Sequence, residues 1–114
     1  MQYALLIYTK PGTYDSLSPA EREALSHEYF ALRDEPGMLG GAALQPVTTA
    51  TTIRLADGKP LVTDGPFADT KEVFGGFYLL EADDLDQASE MAARIPVLRL
   101  GGTVEIRPLM SKAS

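Results

Sequence analysis

The stretch that most constrains this chain runs from Leu61 to Tyr78, LVTDGPFADTKEVFGGFY. A strand end, an Asp-Gly-Pro turn, an acidic-basic segment and a Gly-Gly lead into a new strand follow one another within it. Asp64 can bond its carboxylate to the backbone beyond it, and Gly65 can take backbone angles denied to other residues. Pro66 has no amide hydrogen and pushes Gly65 away from helix, so no sheet ladder runs straight through the turn. Asp64 is therefore expected to be fixed at a strand end, with the Phe67 ring beside it. Asp69, followed three residues later by Glu72, reads as the cap of a short helical turn. Such a segment is either a structural corner or the wall of a site.

The rest of the chain supplies elements to either side. Tyr3 to Thr9 is a near-continuous apolar strand, expected at the sheet centre and buried on both faces. Ser18-Pro19-Ala20-Glu21 opens a helix with a hydroxyl cap, a proline at the first position and a glutamate closing the capping box. That helix ends near Asp34 or Glu35 because Pro36-Gly37 cannot continue it, and Leu25, Tyr29 and Leu32 form its core side. Met38 to Leu44 reads as a strand, Thr48 to Leu55 as another, and Asp57-Gly58 as a hairpin turn into Lys59 to Thr63. Phe77 to Ala82 is a strand. Asp84 with Gln87 then caps a second helix carrying Leu85, Ala88, Ala92 and Ile95, and Thr103 to Pro108 is a half-buried last strand. The order is a split βαβ pattern: an α+β domain with both helices on one face of an antiparallel sheet. A second copy of the chain is the natural cover for the other face, which predicts a homodimer.

The run Asp64-Gly65-Pro66-Phe67-Ala68-Asp69-Thr70-Lys71-Glu72, with Gly75-Gly76-Phe77-Tyr78 after it, resembles the signature of the DGPF branch of the YCII-related proteins. Met1 to Tyr8, Leu44-Gln45-Pro46, Thr49 to Arg54, Asp83-Asp84-Leu85 and Val104 to Pro108 are similar to that family in the same order. The resemblance covers essentially the whole chain. It implies a ferredoxin-like domain of the dimeric α/β-barrel type, in a family with no established reaction. Some members carry a helix histidine proposed to act with an aspartate, and others are associated with alternative sigma factors.

Composition narrows the function classes. At 114 residues the chain is one domain, read as residues 1–110 with a loose tail at 111–114, and its 45% hydrophobic content is that of a globular protein. With no cysteine, disulfides, thiolate nucleophiles and cysteine metal sites are excluded. A cysteine-free chain with no apolar run long enough for a bilayer or a signal peptide is expected in the cytoplasm, away from membranes. A net charge of -6 offers nothing to phosphate backbones, so no direct nucleic-acid binding is expected, whereas a protein partner with a basic surface is allowed. The acidic residues Glu81, Asp83, Asp84 and Asp86 match no calcium loop and suit a helix start, so no metal is expected. Gly40-Gly41 and Gly101-Gly102 form no phosphate fingerprint, so no cofactor is expected.

The candidate catalytic groups are Asp64 and His27. His27 is the only histidine, and thus the sole source of imidazole acid-base chemistry; its alternative is a solvated helix residue. Asp64 is a functional carboxylate or a turn-maker, two roles that are compatible. Phe67, Lys71, Glu72 and Tyr8 are the candidate substrate-binding residues, the charged pair being alternatively a solvated surface pair and the aromatics core. Two readings follow. One is a small enzyme performing proton transfer on a small polar substrate in a cleft beside the loop. The other is a non-catalytic ligand-binding or regulatory module linked to an alternative sigma factor.

Overall fold

The computed structural model describes residues 1–110, and the expected loose tail at 111–114 lies outside the described residues. Its elements are β1 (Gln2–Thr9), α1 (Pro19–Ala31), β2 (Met38–Ala43), β3 (Thr51–Ala56), β4 (Lys59–Asp64), β5 (Val73–Glu81), α2 (Leu85–Ala92) and β6 (Thr103–Pro108). Four strands form one antiparallel sheet in the order β2-β5-β1-β6. Both helices lie on one face of it. This is the ferredoxin-like split βαβ arrangement, as expected from the order of elements.

The core follows from strand alternation. Tyr3, Leu5 and Ile7 of β1 and Tyr78 and Leu80 of β5 point to the helical side, where they meet Leu32, Ala88, Ala92, Ile95 and Val97. Leu5, Leu80, Ile95 and Val97 are fully buried, each contributing about 2 kcal/mol of apolar burial. A one-residue slip of β1 would expose its whole set, so burial pins the register. β1 is central, but only one of its faces is buried. Ala4, Leu6 and Tyr8 remain half-exposed because both helices are committed to the other side.

The helix signals act as written. Ser18 Oγ accepts the Glu21 amide at 3.1 Å, while Glu21 accepts the Ser18 amide at 3.0 Å. The Tyr78 hydroxyl donates to the Tyr29 carbonyl at 2.6 Å and ties α1 to the sheet. Asp84 caps α2 through the Gln87 amide at 2.9 Å. Ala88 and Ala92 are buried, and their small side chains let the helix approach closely. Leu85, expected on the same side, is 54% exposed because it occupies the first helical position, on the flank of the alanine stripe.

Three further features differ from expectation. The Thr48–Leu55 and Lys59–Thr63 strands form a hairpin, but this hairpin leaves the sheet as a separate two-stranded arm. Its turn residues Asp57 and Gly58 take φ of 52° and 77°, the left-handed pair that a two-residue hairpin needs. The arm stretches the molecule to a radius of gyration of 16.2 Å, against about 13 Å for a compact domain of this length. The Asp69–Glu72 segment, expected as a helical turn, is irregular instead, and the Thr70 hydroxyl bonds the Glu72 carbonyl at 2.5 Å. β5 begins at Val73, so Gly75 and Gly76 lie inside the strand rather than before it.

Candidate functional site

The face without helices carries Ala4, Leu6 and Tyr8 from β1, Phe77 and Leu79 from β5, and Thr103, Glu105 and Arg107 from β6. At Gly75 the β1–β5 ladder has a bulge: Ile7 pairs with Gly76 but Tyr8 pairs with Phe74. The extra residue reverses the alternation of β5, so that Phe74 turns to the same face as Phe77. Three rings therefore gather at one end of the open face. Tyr8 and Phe74 are 5.7 Å apart between centroids, and Phe74 stacks on Phe77 at 6.4 Å.

The loop after the arm brings a carboxylate to that end. Glu72 reaches across the end of β1 and accepts the Thr103 hydroxyl of β6 at 3.2 Å. Thr103 is the pairing partner of Tyr8, so the carboxylate lies beside the aromatic group. The half-exposed rings offer flat apolar area, and Glu72 offers a hydrogen-bond acceptor and base. Together they suit a small planar molecule with a polar edge.

The other sequence-derived candidates occupy different places. Asp64 is the last residue of β4, exposed and opposite Thr51. Its turn is closed by the Gly65 amide on the Ala50 carbonyl and the Thr52 hydroxyl on the Gly65 carbonyl, both at 2.7 Å, while Gly65 takes a φ of 103°. The carboxylate is thus left at the surface beside the loop. Phe67 is 75% exposed, with the Arg54 guanidinium 5.9 Å above its ring, and Lys71 is exposed on the same loop. His27 stands on the outer side of α1, its side chain 78% exposed and 3.8 Å from Glu23. Within one chain, the sheet separates His27 from the Tyr8–Glu72 group. Phe74 and Thr103 were not among the candidates from sequence. A strand read as beginning at Phe77 leaves Phe74 outside it.

A second hollow, of about 400 Å³, opens at the opposite end between β5 and α2, lined by Pro36, Gly37, Glu81, Gln87, Met91 and Arg94. Two of its charged residues are engaged, while Glu90, also in its lining, pairs with no cation among the described residues. Arg94 pairs with Glu35, and Glu81 lies 2.8 Å from the N-terminal amine. The Arg94 bond holds the Glu35 carboxyl below its ordinary value and raises the arginine in return. On the core side, burial pushes the Tyr29 and Tyr78 phenols up, out of use as acids near neutrality. Among the described residues, no group of histidine, aspartate or glutamate is arranged to hold a metal ion.

A four-stranded antiparallel sheet with an open face, entered by a loop from an inserted hairpin, is joined by a direct match of residues 1–112 to the YCII-related domain. The chain belongs to the YCII-related family. An uncharacterized protein from Rhizobium meliloti (strain 1021) is 38% identical over 96% of this chain and 92% of its own. Among solved structures, the 5-chloro-2-hydroxyhydroquinone dehydrochlorinase TftG from Burkholderia phenoliruptrix AC1100, in complex with 2,5-dihydroxybenzoquinone, superposes with a TM-score of 0.53. It covers 96% of this chain and 94% of its own at 15% identity, a likeness of fold. No helix among the described residues of this YCII-related protein is long and apolar enough to cross a membrane.

Proposed function

We propose that this YCII-related protein, of the DGPF branch, is a cytoplasmic homodimer that performs acid-base chemistry on a small polar, planar substrate. The site lies on the open sheet face beside the Asp64–Glu72 loop. One observation supports the reading: the bulge at Gly75 gathers Tyr8, Phe74 and Phe77 beside the Glu72 carboxylate on a face that, among the described residues, no helix covers. Rings of this kind hold a flat substrate by stacking, and a carboxylate fixed by Thr103 is placed to accept its proton. Asp64, exposed at the start of the same loop, is the second carboxylate this reading assigns a role.

The solved neighbour TftG is an enzyme with a quinone-type ring bound, which supports a planar substrate without fixing its identity. The test uses 2,5-dihydroxybenzoquinone as probe, measured by isothermal titration against the wild type, Tyr8→Ala, Glu72→Gln, Asp64→Asn and His27→Gln. Loss of about tenfold in affinity per ring or carboxylate removed, with His27→Gln unchanged, is the expected result. Equal binding by the Tyr8, Glu72 and wild-type forms would remove the open face as the site. The non-catalytic regulatory reading then stands in its place.

A further inference from the structure

Continuing the β1–β5 register by one pair beyond Thr9 and Val73 sets Lys10 opposite Glu72. Buried and half-exposed residues alternate along β1, with Ala4, Leu6 and Tyr8 on the helix-free side, and the same alternation carries the exposed Lys10 to that side. Opposite charges set across an antiparallel pair stabilise it by meeting. Here they do not meet. Glu72 instead crosses the end of β1 to accept the Thr103 hydroxyl at 3.2 Å, and among the described residues no carboxylate lies within ion-pair distance of Lys10. Further along the face, Glu105 and Arg107 of β6 offset each other, as do Asp69 and Lys71 on the loop. The aromatic end of the face thus combines the Glu72 carboxylate with an ammonium that the chain leaves free.

We infer that Lys10 selects the charge of the substrate: the planar molecules taken by this site are acids, bound with an ionised oxygen against the Lys10 ammonium and a remaining O–H toward Glu72. The inference rests on the open-face site proposed above. The Tyr8, Phe74 and Phe77 rings hold a flat body, and a lone carboxylate beside them would repel acids. An ammonium across from that carboxylate reverses the preference. It also supplies what proton transfer to Glu72 requires. When the substrate O–H breaks, its proton passes to a Glu72 oxygen and its electron pair stays in the conjugated substrate, where the adjacent cation stabilises it. Lysine suits the place, because a point charge on a flexible stem can follow an oxygen to different positions around a ring. Read alone, a lysine before the Pro11-Gly12 turn is a solvated loop residue; the strand register is what sets it opposite Glu72.

A matched pair of planar probes tests this near neutral pH and at low salt: meta-hydroxybenzoate, which presents a carboxylate and an O–H, and meta-hydroxybenzamide, its uncharged counterpart. Affinities are measured by NMR titration of the wild type, Lys10→Met, Lys10→Arg and, as a control for net charge, Lys59→Met at the tip of the arm. The wild type should favour the acid over the amide by about tenfold. Lys10→Met should abolish that preference by weakening the acid alone, Lys10→Arg should keep most of it, and Lys59→Met should leave it unchanged. Lys10 is exposed, so Lys10→Met should unfold at the wild-type urea midpoint. A preference for the acid that survives in Lys10→Met, or a wild type that binds acid and amide alike, overturns the role of Lys10 and leaves the open-face site standing. A wild type that binds neither probe overturns both.

Discussion

Single side chains divide here into those that hold the fold and those left over for chemistry. Ser18 belongs to the first group: its hydroxyl and the returning Glu21 carboxylate satisfy two amides at the start of α1. Ser18→Ala should lower unfolding stability by about 1 kcal/mol in urea titration, with an unchanged m-value. Bonds from Ser18 hold the Glu21 carboxyl below its ordinary value of 4.5, and Arg94 does the same for Glu35. A depressed folded-state value means stability that is complete above pH 4.5 and is lost as pH falls through the lowered value. Urea midpoints should thus be flat from neutrality to about pH 5 and fall below it, and Glu35→Gln should make the fall shallower. Among the described residues the buried Tyr29 hydroxyl has no partner at good hydrogen-bond geometry, so Tyr29→Phe should be neutral or slightly stabilising.

At the level of elements, the two glycines of the Gly75-Gly76 pair differ in kind. A Cβ on Gly76 would lie 2.8 Å from the Ala42 carbonyl oxygen, whereas one on Gly75 meets nothing closer than Thr9 Oγ1 at 3.8 Å. Gly76→Ala should therefore push β2 away and cost about 1–3 kcal/mol, while Gly75→Ala should stay within about 0.5 kcal/mol in the same urea assay. The same pair shows why the site was only partly legible. Caps, the Asp57-Gly58 turn and the Leu25/Tyr29/Leu32 face are local patterns, and the structure follows them. A bulge is not local. It depends on how β1 pairs with β5, and it alone brings Phe74 round beside Tyr8. The Glu72–Thr103 bond joins the loop before β5 to β6, distant in sequence, so Tyr8 and Glu72 could be named as candidates but their meeting could not be read. His27 shows the converse: its helix was legible, but the sheet places it on the far side from that group.

For the whole molecule, the ferredoxin-like body and its arm leave two apolar surfaces open at once, and a charge of -6 per chain sets the terms on which copies associate. Body-to-body repulsion is screened by salt, whereas apolar contact is not. Dimerisation should therefore strengthen as salt is raised from low concentration, as measured by sedimentation equilibrium; weakening would indicate an interface held by opposite charges. The open face beside the loop is the proposed substrate site. It is tested most directly by titrating ¹⁵N-labelled protein with 2,5-dihydroxybenzoquinone and mapping the amide shifts. The largest changes are expected at Tyr8, Glu72, Phe74, Phe77 and Thr103, with α1 silent. Shifts centred on His27 and the outer side of α1 would contradict it.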